Sequence, residues 1–203
     1  MIKKSRIIRI AYVTIFDSVM MLTACGGRTP PAKFYTLQPV QPSSPGTSLP
    51  EDVAIAVGPV AIPEAHDRQE IVTRGAKNEV SFSEYHRWAG PLQKNIAAVL
   101  SQNIGALLGT ERITPFTREN IFRPTHRVVI NINRYDSQFS KEFLLETTWS
   151  IRDIQRNQTL LVQGSIVRKP LASSTYEDLL AAQNQALGAL SEKIAKAFIE
   201  LMQ

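Results

Sequence analysis

The sequence predicts a single α/β domain behind an N-terminal targeting segment. We expect three layers, in which two long helices pack against a mixed sheet of about five or more strands, with an antiparallel meander near the C-terminus. Three patterns indicate this fold. First, short segments alternate between apolar and polar residues. Second, three longer alternating segments follow one another closely. Third, one segment with a helical period precedes these three and another follows them.

The first part of the domain contains short strands separated by loops. Strands are predicted at residues 33–37, 52–57, 70–73 and 79–82. The second alternates apolar and other residues up to Val57 and is expected to end at Gly58. Residues 38–51 contain four prolines and predict an exposed loop. The last two strands are close enough in sequence to form a hairpin.

A helix is predicted after the short strands, from Pro91 to Gly109. Its apolar residues recur at intervals of three and four, which places them on one face with Asn103. They are Leu92, Ile96, Val99, Leu100 and Leu107. Proline suits a first helical turn and glycine suits the C-terminal stop.

Three longer strands and a second helix are predicted next. The strands, at 127–135, 142–151 and 159–167, each have one apolar and one polar face and short connections, which favours an antiparallel meander. Ser174 and Glu177 have the spacing of a capping box at a helix start. Leucine or isoleucine then recurs every seven residues from Leu180 to Leu201. A coiled-coil partner would suit this repeat, but packing on the domain's own sheet is commoner.

The N-terminus resembles a bacterial lipoprotein signal. Four basic residues precede an apolar stretch, which ends in Leu22-Thr23-Ala24-Cys25. We expect residues 1–24 to be a signal peptide, Cys25 to carry the lipid, 25–32 to form a tether and 33–203 to form the domain. A transmembrane helix would need about 20 apolar residues, and this stretch is shorter and contains Asp17. A lone buried cysteine would leave the basic start unexplained.

Charge and cysteine content narrow the class of protein. The net charge is +5, but the first 24 residues contribute four basic residues and Asp17, so only about +2 belongs to the rest. This balance gives no support to nucleic-acid binding. With Cys25 lipidated, the mature chain has no free thiol. Position 26 is Gly rather than the Asp that retains lipoproteins at the inner membrane, which favours the periplasmic face of the outer membrane.

The sequence contains few residues in patterns typical of catalysis or of cofactor binding. It has neither a glycine-rich phosphate loop nor a nucleophile elbow. Glu64, His66 and Asp67 could approach a metal, but a zinc site needs more ligands at defined spacing, and a polar loop is the better interpretation. His86 and His126 are far away in sequence. We therefore expect no catalytic residue, no metal site and no cofactor other than the covalent lipid on Cys25.

Two further stretches are open to more than one interpretation. Arginines recur from Arg112 to Arg134 and could meet anionic lipid head groups, but interleaved acidic residues favour a solvated surface. The loop 114–125 carries Phe116, Ile121 and Phe122. These residues either pack as a satellite of the core, which is the favoured interpretation, or form a contact surface.

Two motifs are specific enough to suggest a family. One is Asp67–Arg74, with the sequence DRQEIVTR, and the other is Tyr85–Leu92, with the sequence YHRWAGPL. With the Cys25 motif and the early segment Phe34–Leu37, the whole mature chain resembles the PqiC/YmbA family of ABC-type transport auxiliary lipoproteins. Gly90 stands where such proteins often have an acidic or polar residue, so no carboxylate role is expected there.

The resemblance implies a fold and a set of partners. The fold would be similar to the anticodon-binding and TolB N-terminal domains. The partners would be an MCE-domain protein of the PqiB type with its ABC permease and ATPase, in a system that moves phospholipid between the two membranes. Such proteins are not enzymes. Self-association into a dimer or ring is left open.

Candidate partner-binding residues come from the two motifs and the apolar loop. They are Arg68, Arg74, Arg87, Trp88 and Phe122, chosen because arginine and aromatic side chains anchor interfaces. For Trp88 the alternative is that it closes the core at the start of the helix. Two other functions compete: a structural or pilot lipoprotein for another outer-membrane complex, and a periplasmic hydrolase, which would need Ser, His and carboxylate groups in one pocket.

Overall fold

The computed structural model describes residues 30–40, 49–75, 79–117 and 121–202. The signal peptide, Cys25 and most of the tether predicted from the sequence lie outside the described residues. Within these ranges the strands and α-helices are β1 Lys33–Tyr35, β2 Ile55–Ala61, β3 Glu70–Arg74, β4 Val80–Trp88, α1 Leu92–Leu108, β5 Ile113–Pro115, β6 His126–Gln138, β7 Glu142–Asp153, β8 Gln158–Pro170 and α2 Tyr176–Leu201. They belong to one unit, Ala32–Gln203.

The larger sheet has five strands in the order β5-β2-β6-β7-β8. Strand β2 is parallel to β5 and β6, whereas β6, β7 and β8 form the antiparallel meander that the sequence predicts. Helix α1 contacts β2 and β5, helix α2 contacts β7 and β8, and the helices contact each other. The predicted mixed α/β fold with two long helices is confirmed.

The smaller sheet has three strands in the order β1-β4-β3. Its antiparallel β3–β4 pair is the predicted hairpin. The second strand of this hairpin was expected to end at Phe82, but it continues to Trp88 and pairs in parallel with β1. Alternation and turn residues identify strands, but they do not say how strands divide between two sheets.

Strand β2 corrects the prediction that Gly58 ends it. The strand continues to Ala61 because a bulge accommodates the Gly58-Pro59 pair. Gly58 has a φ of 124°, a conformation that side chains disfavour. The pairing of β2 with β6 shifts register between Val57 and Val60 and then resumes at Ile130.

The helices begin and end close to the predicted residues. Pro91 precedes α1, and Gly109 ends it with a φ of 60°. The cap of α2 is Thr175 rather than Ser174, because the Thr175 hydroxyl accepts a hydrogen bond from the Asp178 amide at 3.3 Å. The spacing S/T-x-x-acid fits at both positions, so the prediction was wrong by one residue.

The hydrophobic core contains the apolar faces of both helices and the facing residues of the five-stranded sheet. In α2, Leu180, Leu187 and Ile194 are buried in this core. Its seven-residue repeat therefore packs on the domain's own sheet. The Trp149 indole is buried and donates a hydrogen bond to Ser165 Oγ at 3.0 Å. Among the described residues, no helix is long and apolar enough to cross a membrane.

Candidate functional site

A row of three side chains crosses the three-stranded sheet on one face. Phe34 of β1 pairs with Arg87 of β4, and Arg87 pairs with Glu70 of β3. Residues paired across neighbouring strands point to the same side of a sheet. Phe34 is 62% exposed, and Arg87 beside it is half-buried. An exposed phenylalanine and a half-buried arginine thus occupy neighbouring positions on one face of the sheet.

A second arginine stacks on a second exposed phenylalanine nearby. The Arg68 guanidinium carbon lies 3.9 Å from the centre of the Phe82 ring, and Phe82 is 49% exposed. Phe82 pairs with Val72 of β3, beyond a register shift that separates this pair from the Glu70–Arg87 pair. We call Phe34, Arg68, Phe82 and Arg87 the Arg–Phe surface.

The two arginines of the Arg–Phe surface are free to bind. Within the described residues, neither guanidinium has a hydrogen bond or an ion pair. The Arg87 Nε is buried and has no partner, so its hydrogen-bonding capacity is unused. Arginine stacked on exposed aromatic rings is the composition of strong protein–protein contacts.

Trp88 lies beneath this surface rather than on it. Its side chain is 3% exposed and belongs to the core. The strand fixes it there, because Trp88 pairs with Tyr35 and its backbone N–H donates to the Gln69 carbonyl at 2.7 Å. The structure therefore places Trp88 where the alternative interpretation of the sequence puts it, closing the core before α1.

Arg74 joins the two sheets. Its Nη2 donates to Asp136 Oδ1 at 3.1 Å, while Arg134 donates to Asp136 Oδ2 from Nη2 at 2.7 Å and from Nε at 3.0 Å. Burial tends to raise the pKa of Asp136, but the hydrogen bonds and charges of the two arginines outweigh it, so the pKa is lowered. Arg74 is thus engaged inside the domain, between β3 and β6.

We expect Asp136→Asn to destabilise the protein by about 1–3 kcal/mol near neutral pH, since it removes charged hydrogen bonds to two arginines. A lowered folded-state pKa stabilises the protein above the unfolded-state pKa of about 3.9, and this stability is lost as the pH falls through the folded value. The difference in unfolding free energy between the wild type and Asp136→Asn should therefore shrink below about pH 4 in urea denaturation.

Glu142→Gln is the matched control for Asp136→Asn. Glu142 pairs with Arg168 at 2.6 Å on the surface of the meander. An exposed pair of this kind contributes about 0–1 kcal/mol, so the control should change stability little at any pH. A difference for Asp136→Asn that is the same at about pH 3 as at about pH 7 would contradict the assignment.

Phe122 lies apart from the other candidates. It is half-buried on the connection between β5 and β6, in the five-stranded sheet. Its neighbour Ile121 is almost fully exposed. The other candidates are in β3, in β4 or just before β3. The structure therefore brings Arg68 and Arg87 to one surface and leaves Phe122 on another element.

The histidines are dispersed and each packs against an aromatic ring. The ring centres of His66 and Tyr135 are 5.5 Å apart, and burial lowers the pKa of His66. His86 stacks on Tyr176 at 3.7 Å. His126 packs edge-on against the Phe198 ring of α2. Within the described residues, no group of three His, Cys, Asp or Glu side chains could hold a metal ion.

Two phenylalanines of the surface, Phe34 and Phe82, were not among the sequence candidates. Both lie in strand segments whose other residues alternate between polar and apolar, so either face of the strand could have been the buried one. The pairing of Phe34 with Arg87 shows which face of β1 the Phe34 side chain is on. The only signal in the sequence was an aromatic residue next to Tyr35 on a strand, where one of two neighbours must point outward.

The chain belongs to a known family of transport lipoproteins. The description of the matching family is "ABC-type transport auxiliary lipoprotein component", and the match covers residues 35–195. These residues include both sheets apart from the first residues of β1, and all but the last turns of α2. This confirms the resemblance suggested by the sequence motifs. Membership implies a lipid-anchored protein that works beside an ABC-type transport system.

Solved structures share the fold at low sequence identity. A crystal structure described as an uncharacterized protein has a TM-score of 0.68 at 12% identity, covering 83% of this chain and 99% of the other. A Xanthomonas campestris protein of the DUF330 family has a TM-score of 0.66 at 16% identity, covering 84% of this chain and 96% of the other. No curated protein matches the sequence.

Proposed function

We propose that this lipoprotein is a non-catalytic auxiliary component of an MCE/ABC-type system that moves phospholipid between the inner and outer membranes and maintains envelope integrity. The observation that carries the proposal is the family match over residues 35–195. The segment Leu22–Cys25 is typical of a lipoprotein signal and supports the proposal that the protein is anchored to a membrane by lipid.

The proposed anchor is a set of acyl chains on Cys25 in the periplasmic leaflet of the outer membrane. Gly26 lacks the carboxylate that retains lipoproteins at the inner membrane. Several acyl chains hold a protein firmly, whereas one chain binds only marginally. Residues 25–32 would then tether the domain to the membrane, which leaves it free to meet a partner in the periplasm.

The proposed contact with the MCE-domain protein is the Arg–Phe surface. Its two arginines have no ion pair among the described residues, and both rings are largely solvated. Binding would bury Phe34 and Phe82 and give Arg68 and Arg87 carboxylate or carbonyl acceptors. A partner with an apolar patch rimmed by acidic residues fits this surface.

Photo-crosslinking in cells tests this contact. We expect a photoreactive amino acid at Phe82 to capture the MCE-domain protein, while one at Val162 on β8, which is even more exposed, does not. Combining Arg68→Glu with Arg87→Glu should reduce capture at Phe82 by at least about tenfold, as expected for the loss of interface anchors. A third position, Phe122, tests whether the β5–β6 connection also reaches the partner.

The outcomes separate the proposed function from its rival. Capture of a secretin or pilus component at Phe82 would favour a structural or pilot lipoprotein. Equal capture at Phe82 and Val162 would show that the Arg–Phe surface is not a specific contact. Capture of a second copy of this chain would instead place self-association there.

A further inference from the structure

An apolar groove opens between the first turns of α1 and the edge of the five-stranded sheet. Its volume is about 420 Å³, within the usual size of small-molecule sites of about 300–1,000 Å³. The walls are contributed by the β2 bulge, by α1 and by the end of β5. The apolar side chains among the described lining residues are those of Val57, Pro59, Val60, Ala97, Pro115 and Phe116.

The bulge in β2 shapes this groove. Gly58 lets Phe116 approach closely, since a side-chain carbon added at Gly58 would lie only 3.3 Å from Phe116 Cβ. The Phe116 N–H donates to the Val57 carbonyl at 2.7 Å. The Arg127 guanidinium carbon lies 4.1 Å from the centre of the Phe116 ring. Phe116 is therefore held as a wall by contacts within the domain.

We propose that this groove binds one acyl chain of an anionic phospholipid. The occupant must be able to lie in the groove without losing hydrogen bonds. An extended peptide must pair its backbone N–H and C=O groups, and an unpaired buried group costs free energy. The adjacent edge strand β5 has three residues and ends in Pro115, which has no N–H to offer. An acyl chain needs no such partners.

The charge at the mouth favours an anionic head group. Lys94 is exposed at the rim and has no ion pair within the described residues. Among the described residues that line the groove, none is acidic. Asp67 accepts a hydrogen bond from Gln93 Nε2 at 2.6 Å and forms no ion pair with Lys94 in the described part of the chain. A phosphate near Lys94 would therefore gain a favourable charge contact.

The proposed lipid anchor at Cys25 would keep the domain on a short tether to a membrane that contains phospholipid. Cys25 and Lys33 are eight residues apart, a span of at most about 28 Å when extended. This step rests on the proposed lipid anchor at Cys25.

The test uses the full-length lipoprotein in its own membrane. A photoreactive amino acid replaces Gln93 at the mouth, and a control replaces Lys193, which is exposed on α2. Cells are labelled with radioactive phosphate, irradiated, and the protein is purified under denaturing conditions. We expect light-dependent phospholipid label at position 93 and not at 193. Lys94→Glu should lower this label by at least about fivefold, and Lys193→Glu should not.

Several outcomes would overturn the proposal. Label at position 93 no stronger than at 193 would show that the groove takes no phospholipid. A protein adduct at position 93 would make the groove a protein contact. An adduct that carries acetate-derived carbon but no phosphate would identify a free fatty acid or the protein's own acyl chain. The variant with Arg68→Glu and Arg87→Glu separates the two proposals, since it should lose the MCE partner and keep the phospholipid label.

Discussion

Replacing Cys25 with alanine is expected to abolish lipid attachment completely. In the proposed anchor, the Cys25 thiol is the group that accepts diacylglycerol, and alanine has no nucleophile to replace it. A lipid anchor is what the family description implies. We expect no incorporation of radioactive palmitate into Cys25→Ala, and accumulation of a longer precursor that keeps residues 1–24.

Gly26→Asp is the control for this experiment. It leaves the thiol of Cys25 in place, so palmitate incorporation should be unchanged. If the proposed address is right, the same substitution should move the lipoprotein from the outer-membrane to the inner-membrane fraction. Palmitate incorporation that persists in Cys25→Ala would refute the anchor, whereas an unchanged membrane fraction in Gly26→Asp would refute only the address.

Much of the fold was predictable because the long elements carry strong periodic patterns. The 3.6-residue period of α1 and the alternation in β6 to β8 depend on local sequence, and the structure confirms them. Which strands pair depends on contacts distant in sequence. The parallel pairing of β1 with β4 joins residues more than fifty positions apart, and no local pattern reports it.

The β2 bulge shows where turn signals mislead. Gly58-Pro59 predicts a strand end, because proline lacks an N–H and glycine breaks alternation. In the structure the same two residues form a bulge, and the strand resumes its pairing with β6 beyond it. The apolar groove follows from this bulge, so it could not be predicted from the expected strand boundaries.

The candidate site was predictable in composition more than in geometry. Arginine and aromatic residues in the two family motifs predict a contact surface, and the Arg68 and Arg87 side chains are exposed and half-buried, respectively. Arg74 is instead engaged by Asp136, a carboxylate far away in sequence. Which aromatic side chain is buried depends on strand pairing. The sequence alone therefore makes Trp88 a candidate partner-binding residue and does not identify Phe34 as one.

Replacing Trp88 with alanine is expected to lower the free energy of unfolding by about 3–5 kcal/mol. The side chain is 3% exposed in the core, so its removal loses apolar burial and leaves a cavity that the strand and α1 cannot fill. A domain of this kind is stable by only about 5–15 kcal/mol, so the loss is a large share of the total. Urea denaturation followed by the fluorescence of the remaining Trp149 measures it.

Phe82→Ala is the matched control, because it also removes an aromatic ring from β4 but at a largely solvated position. Its effect on stability should be within about 0.5 kcal/mol, while its effect on partner capture should be large. The two variants thus separate what holds the fold together from what it presents to a partner. A Trp88→Ala protein that unfolds at the wild-type urea concentration and loses the partner would reverse these roles, and would make Trp88 a contact residue.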